Sequence, residues 1–132
     1  GAYRDDDGDT NTGSAYIFER DSGGTWSEVP KLTASNAAAS DQFGRAVAIS
    51  GDYVVVGAHG TTSYTGSAYI FERNSAGTWS QASILNASDG ATMDQFGSSV
   101  AISGNYVVVG ARRDDDSGDD ENDDYDIHYA EK

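Results

Sequence analysis

Cysteine is absent from the 132-residue chain, so neither a disulfide framework nor a thiolate metal site holds it together. That absence does not exclude the extracellular space. Proline occurs once, at Pro30. No apolar run approaches the ~20 residues of a membrane-spanning helix, so helical insertion into a bilayer is excluded. Positive charge is scarce: eight Lys and Arg stand against 22 Asp and Glu, a formal net charge of −14. A phosphate backbone needs Lys and Arg opposite it, so the balance argues against nucleic acid and against anionic membrane surfaces. It suits cation binding, solubility in a salty medium, or both. No signal peptide is visible and the sequence opens on Gly1, as expected of a processed product or a piece of a larger protein.

What the chain does have is glycine, tyrosine and repetition. Sixteen Gly and an aromatic fraction of 11%, mostly Tyr, point to short strands joined by tight turns. The length suffices for one domain with a core. Residues 13–65 align with residues 66–118 without a gap, a period of about 53 residues, and about 32 of the paired positions are identical. One structural unit is therefore used more than once.

Within each unit, two apolar runs flank a Ser-Gly-Asp or Ser-Gly-Asn turn: Phe43 to Ile49 with Tyr53 to Val56, and Phe96 to Ile102 with Tyr106 to Val109. Gly followed by Asp or Asn tolerates the positive φ of a hairpin turn. Val54-Val55-Val56 is apolar on both faces, which predicts a strand covered on both sides. Ser67–Arg73 and its copy at Gly13–Arg20 alternate as third strands. Trp79–Leu85 and the weaker Thr25–Leu32 follow as outer strands, and Pro30 confines the latter to a sheet edge. Thr33–Ser40 carries no amphipathic stripe and reads as a connection. Tyr125–Lys132 reads as a divergent third strand.

A four-stranded antiparallel unit of about 50 residues, repeated, is the signature of a β-propeller blade. The fold expected is all-β: a partial blade over residues 1–40, a complete blade over 41–93, and a partial blade over 94–132 with an acidic loop and the divergent last strand. About two blades cannot close a ring, since propellers need four to eight. Either further blades lie on a longer chain, or several copies of this one assemble head to tail.

At Phe43-Gly44 with Gly57-Ala58, and at Phe96-Gly97 with Gly110-Ala111, the chain resembles the FG-GAP repeats of integrin-α-like β-propellers. The resemblance covers nearly the whole chain. It implies an extracellular or cell-surface, calcium-dependent propeller that acts in adhesion or ligand binding. Enzymes and structural surface proteins carry the repeat too. Two departures matter. The Pro that often follows Gly-Ala is replaced by Tyr3, His59 and Arg112. The family's calcium loop between the first two strands is cut to Ser50-Gly51-Asp52 and Ser103-Gly104-Asn105, too short to wrap a cation that takes six to eight oxygens.

Acids gather instead between the second and third strands. One cluster is Asp5, Asp6, Asp7, Asp9 and Asn11; the other is Asp114, Asp115, Asp116, Asp119 and Asp120. A bound Ca²⁺ would relieve the repulsion among such carboxylates; the alternative is a solvated acidic loop. The equivalent loop His59–Thr65 has no acid and is three residues shorter than the first. Asp41 and Asp94, ahead of the Phe-Gly pairs, are expected to bridge loops structurally. Trp26 and Trp79 offer either a sugar-stacking platform or, preferably, packing between blades. Asn86-Ala87-Ser88 is an N-glycosylation sequon. No local nucleophile arrangement is recognisable, so no catalytic residue is assigned and an enzyme is not expected. The function expected is a non-enzymatic structural or adhesion module. Its partners would be further blades or copies of itself, with an extracellular protein or glycan as possible ligand. The alternatives are a carbohydrate-binding module and a non-catalytic portion of a larger secreted enzyme.

Overall fold

Val54, Val55 and Val56 are almost sealed from solvent because the strand that carries them has neighbours on both faces of its sheet. The computed structural model describes residues 1–6, 9–114 and 126–131. Three antiparallel sheets follow one another along the chain. The first pairs β1 (Phe18–Arg20) with β2 (Trp26–Glu28). The second is ordered β3 (Ala46–Ser50), β4 (Tyr53–Ala58), β5 (Ser67–Arg73) and β6 (Trp79–Leu85). A short turn, α1 (Thr61–Tyr64), joins β4 to β5, and Thr62, Ser63 and Tyr64 within it have positive φ. The third sheet is ordered β7 (Phe96–Ser103), β8 (Tyr106–Ala111) and β9 (Asp126–Glu131).

The order within the second sheet is the expected blade: Phe-Gly hairpin, Val-rich strand, Tyr-Ile-Phe strand, Trp-bearing edge. The divergent last segment does form a strand, and β9 pairs with β8 as β5 pairs with β4. The outer strand of the first sheet is shorter than its sequence suggests. β2 stops before Pro30, which has no N–H to give the ladder. Pairing resumes at Leu32, which exchanges two backbone bonds with Ala15, at 2.8 and 3.0 Å.

The sheets stack face to face, and the period-two alternation divides each strand between two cores. Val54 and Val56 of β4, with Tyr69 and Phe71 of β5, turn toward the first sheet and meet Ala15, Ile17 and Leu32. Val55, Ala68 and Ile70 turn the other way, onto Val107, Val109 and Ala111 of the third sheet. Phe43 is fully buried and meets Tyr69 and Phe71 edge to face, with centroids 5.3 and 5.9 Å apart. That geometry suits aromatic quadrupoles.

The Phe-Gly and Gly-Ala motifs mark where neighbouring sheets touch through their backbones. A Cβ on Gly57 would strike the carbonyl of Gly97, and one on Gly97 would strike the carbonyl of Ser67. The same arrangement joins Gly1, Gly44 and Ser14 one repeat earlier. Gly44 and Gly97 also sit at φ +92° and +90°, where an L side chain is strained. The motif is thus a requirement for close approach between blades.

Candidate functional site

The connections after Gly-Ala and before Phe-Gly emerge at one end of the sheets and are zipped together by backbone bonds. Ser40 N–H donates to Thr10 O at 2.8 Å, Gln42 N–H to Asn11 O at 3.0 Å, and Phe43 N–H to Thr12 O at 3.0 Å. One repeat later Met93 donates to Ser63, Gln95 to Tyr64 and Phe96 to Thr65, at 3.3, 2.7 and 3.0 Å. The ladder recurs although one loop is acidic and the other is not. Asp41 O accepts from Gly60 N–H at 3.0 Å, and Asp94 O accepts from Arg113 N–H at 3.0 Å. Each Asp loop is therefore held between the loop of the preceding blade and that of its own.

The Asp41 and Asp94 side chains are structural, as expected. Both are buried, and their carboxylates accept from the N–H of Ala38 at 2.9 Å and of Ala91 at 2.6 Å. Burial raises the pKa of Asp41 above the usual carboxylate range, against the lowering effect of the Ala38 bond. The flanking Ser40, Gln42, Met93 and Gln95 all have positive φ, so both copies carry the same backbone strain.

In the first acidic loop the described acids are engaged by the protein itself. Asp5 accepts from the Ser14 hydroxyl at 2.5 Å and the Tyr16 hydroxyl at 3.1 Å, with Lys31 Nζ at 3.5 Å. The Ser14 hydroxyl above all, then Tyr16 and Lys31, hold the Asp5 carboxyl below the usual range despite partial burial. Asp6 accepts from Asn11 N–H at 2.6 Å, and Asp9 from Thr10 N–H at 2.8 Å. Asn11 has φ 56° and is partly buried. Asp114 is buried beside the Asp94 loop. Asp7, Asp115, Asp116, Asp119 and Asp120 lie outside the described residues. Among the described residues no three carboxylate or imidazole groups converge as a metal would require.

Trp79 packs on the first core, donates from Nε1 to Glu19 at 3.2 Å, and lies under the Arg73 guanidinium at 5.8 Å. Trp26 is exposed. Asn86 is exposed, and its Oδ1 accepts from the Ser67 hydroxyl at 2.7 Å.

Two adjoining clefts that the charge pattern did not suggest open on the same face. One, of about 440 Å³, is lined by Tyr3, Arg4, Asn11, Gln42, Arg45 and His59. The other, of about 300 Å³, is lined by Arg45, His59, Gln95, Ser98, Ser99 and Arg112. His59 and Arg45 form their shared wall. Arg45 and Arg4 lie over the Tyr3 ring at 4.9 and 5.4 Å. His59 is buried and its Nδ1 has no hydrogen-bond partner. Burial first, then Arg45 and Arg112, lower its pKa and favour the neutral ring. A signal for this site was present in the sequence. Tyr3, His59 and Arg112 are the residues that follow Gly-Ala, where the repeat often has Pro, and Arg45 follows Phe-Gly.

Stacked antiparallel sheets joined through repeated glycine contacts, with their connecting loops gathered at one end, define a repeat protein built of blade-like units. The chain belongs to the FG-GAP repeat family, whose model matches residues 26–71 and 79–125. The first match runs from the outer strand of one sheet to the third strand of the next, so it contains a blade junction. The comparison with curated proteins returns no match.

Proposed function

We propose that the chain is a non-enzymatic structural or adhesive module of an extracellular β-propeller, completed at both ends by further blades. One observation carries the reading: positions buried in the middle blade are open in its copies. Tyr69 and Phe71 are 0% and 3% exposed, whereas their equivalents Tyr16 and Phe18 are 40% and 54% exposed. At the other end Val55 is 0% exposed and its equivalent Val108 is 38%. The open positions are those that a preceding and a following blade would cover. The covering blades belong either to a longer polypeptide or to other copies of this chain. A divalent cation bound by the acidic loops is part of the same proposal.

A glycan platform on the two tryptophans has less support. Trp79 is engaged between blades, and Trp26 is the equivalent residue beside an open face.

Amide hydrogen exchange on the isolated chain tests the proposal. Amides of β4 and β5 are expected to be the slowest, with β1, β2 and β8 exchanging markedly faster because each lacks a neighbour on one face. Equal protection in all three sheets would overturn it, since the end blades would then need no cover.

A further inference from the structure

Among the described residues Arg73 is the arginine that meets acids, Asp52 at 2.6 Å and Glu19 at 3.5 Å, whereas Arg20 and Arg113, like the arginines below, have no carboxylate partner. Among the described residues, Arg4, Arg45 and Arg112 pair with no carboxylate, although acids outnumber bases 22 to eight. All three line the clefts that meet at His59. The buried, unpartnered Nδ1 of His59 is a second unspent polar group at the same place. Gln42 and Gln95, one in each cleft, occupy equivalent positions in the two repeats. Each holds φ near +60°, at 57° and 61°, where glycine is the relaxed choice.

We propose that these clefts bind an oxyanion, the carboxylate or phosphate group of a small ligand, with Arg45 and Arg112 as its charge partners and Gln42 and Gln95 as amide donors. The guanidinium fork matches either group through paired N–H bonds. Its weak hydration lowers the desolvation cost relative to an ammonium. The net charge of −14 opposes an incoming anion. In ~0.15 M salt that opposition is screened beyond about 8 Å, so the arginines lining the cleft dominate at contact. The site sits where three repeats contribute the residues after their motifs: Tyr3 from one, Arg45 and His59 from the next, Ser98 and Arg112 from the third. It goes beyond the structural reading and stands whether or not further blades are present.

The test is an amide NMR titration of the whole chain with citrate and, separately, with inorganic phosphate at fixed ionic strength. At least one anion is expected to shift the Gly60 and Arg113 amides saturably, with a dissociation constant of about 1 mM or below. Arg45→Gln and Arg112→Gln should each weaken it at least about tenfold, and Arg20→Gln should leave it unchanged. Preference for citrate assigns a carboxylate ligand; preference for phosphate assigns a phosphoryl group. Absence of saturation with both anions overturns the proposal, as does equal weakening by Arg20→Gln. The same spectra report folding, so if one cleft variant misfolds the other decides.

Discussion

His59 shows how one residue links the fold's stability to pH. Burial of its ring first, and then the charges of Arg45 and Arg112, hold its folded pKa below the ordinary value of about 6.5. Below that pH the unfolded chain takes up a proton more readily than the folded one, so stability is lost as pH falls, until the folded ring also titrates. Thermal melts from pH 7.5 to pH 5 should therefore show a falling Tm. In His59→Gln the fall should be smaller, leaving the contribution of the carboxylates. An identical slope in the variant would show that the ring is already solvated. The repeat register marks these positions, after Gly-Ala and after Phe-Gly, but not the burial of the ring or its closeness to two arginines. His59 reads as a lone histidine, and its neighbours Arg45 and Arg112 lie 14 residues before and 53 residues after it.

At the scale of elements, the strands were legible because they rest on local signals. Alternation in Ser67–Arg73, the doubly apolar Val54–Val56 and the Gly turns predict the strands and their order, and the pairing follows them. The end of β2 was less legible, since Pro30 ends the ladder two residues beyond Glu28 and pairing resumes at Leu32. Asymmetry between copies was not legible at all, because identical residues face different neighbours. Phe71 and Phe18 occupy the same position of the repeat and differ only in what covers them. Phe71→Ala should cost about 3–5 kcal/mol, as for a fully buried aromatic. Phe18→Ala should cost under about 1 kcal/mol in the isolated chain. Denaturant unfolding of the two variants makes the comparison, and equal losses would contradict the open face.

For the whole molecule, charge is the dominant global term. A net charge of −14 on 132 residues makes the folded chain self-repelling, so added salt should raise its Tm. Matched ionic strength separates that screening from site binding. Against sodium chloride at equal ionic strength, millimolar CaCl₂ should raise Tm further if the acidic loops hold a cation, by the linkage of binding to folding. Equal melts in the two salts would leave the loops as solvated charge. The sequence placed the acids but not their partners. Asp5 is committed to Ser14, Tyr16 and Lys31, a set assembled from positions up to 26 residues away.

The loop zipper has a consequence for how such a surface changes over time. Its bonds run from main chain to main chain: Ser40 to Thr10, Gln42 to Asn11, Met93 to Ser63, Gln95 to Tyr64. They use no side-chain group of the residues they join, and they already tolerate two loops of different length, one acidic and one without acids. Recognition residues on this face can therefore be exchanged cassette by cassette while the scaffold underneath stays the same. Transplanting residues 59–65 in place of 3–12 would carry one loop's chemistry to another station of the stack.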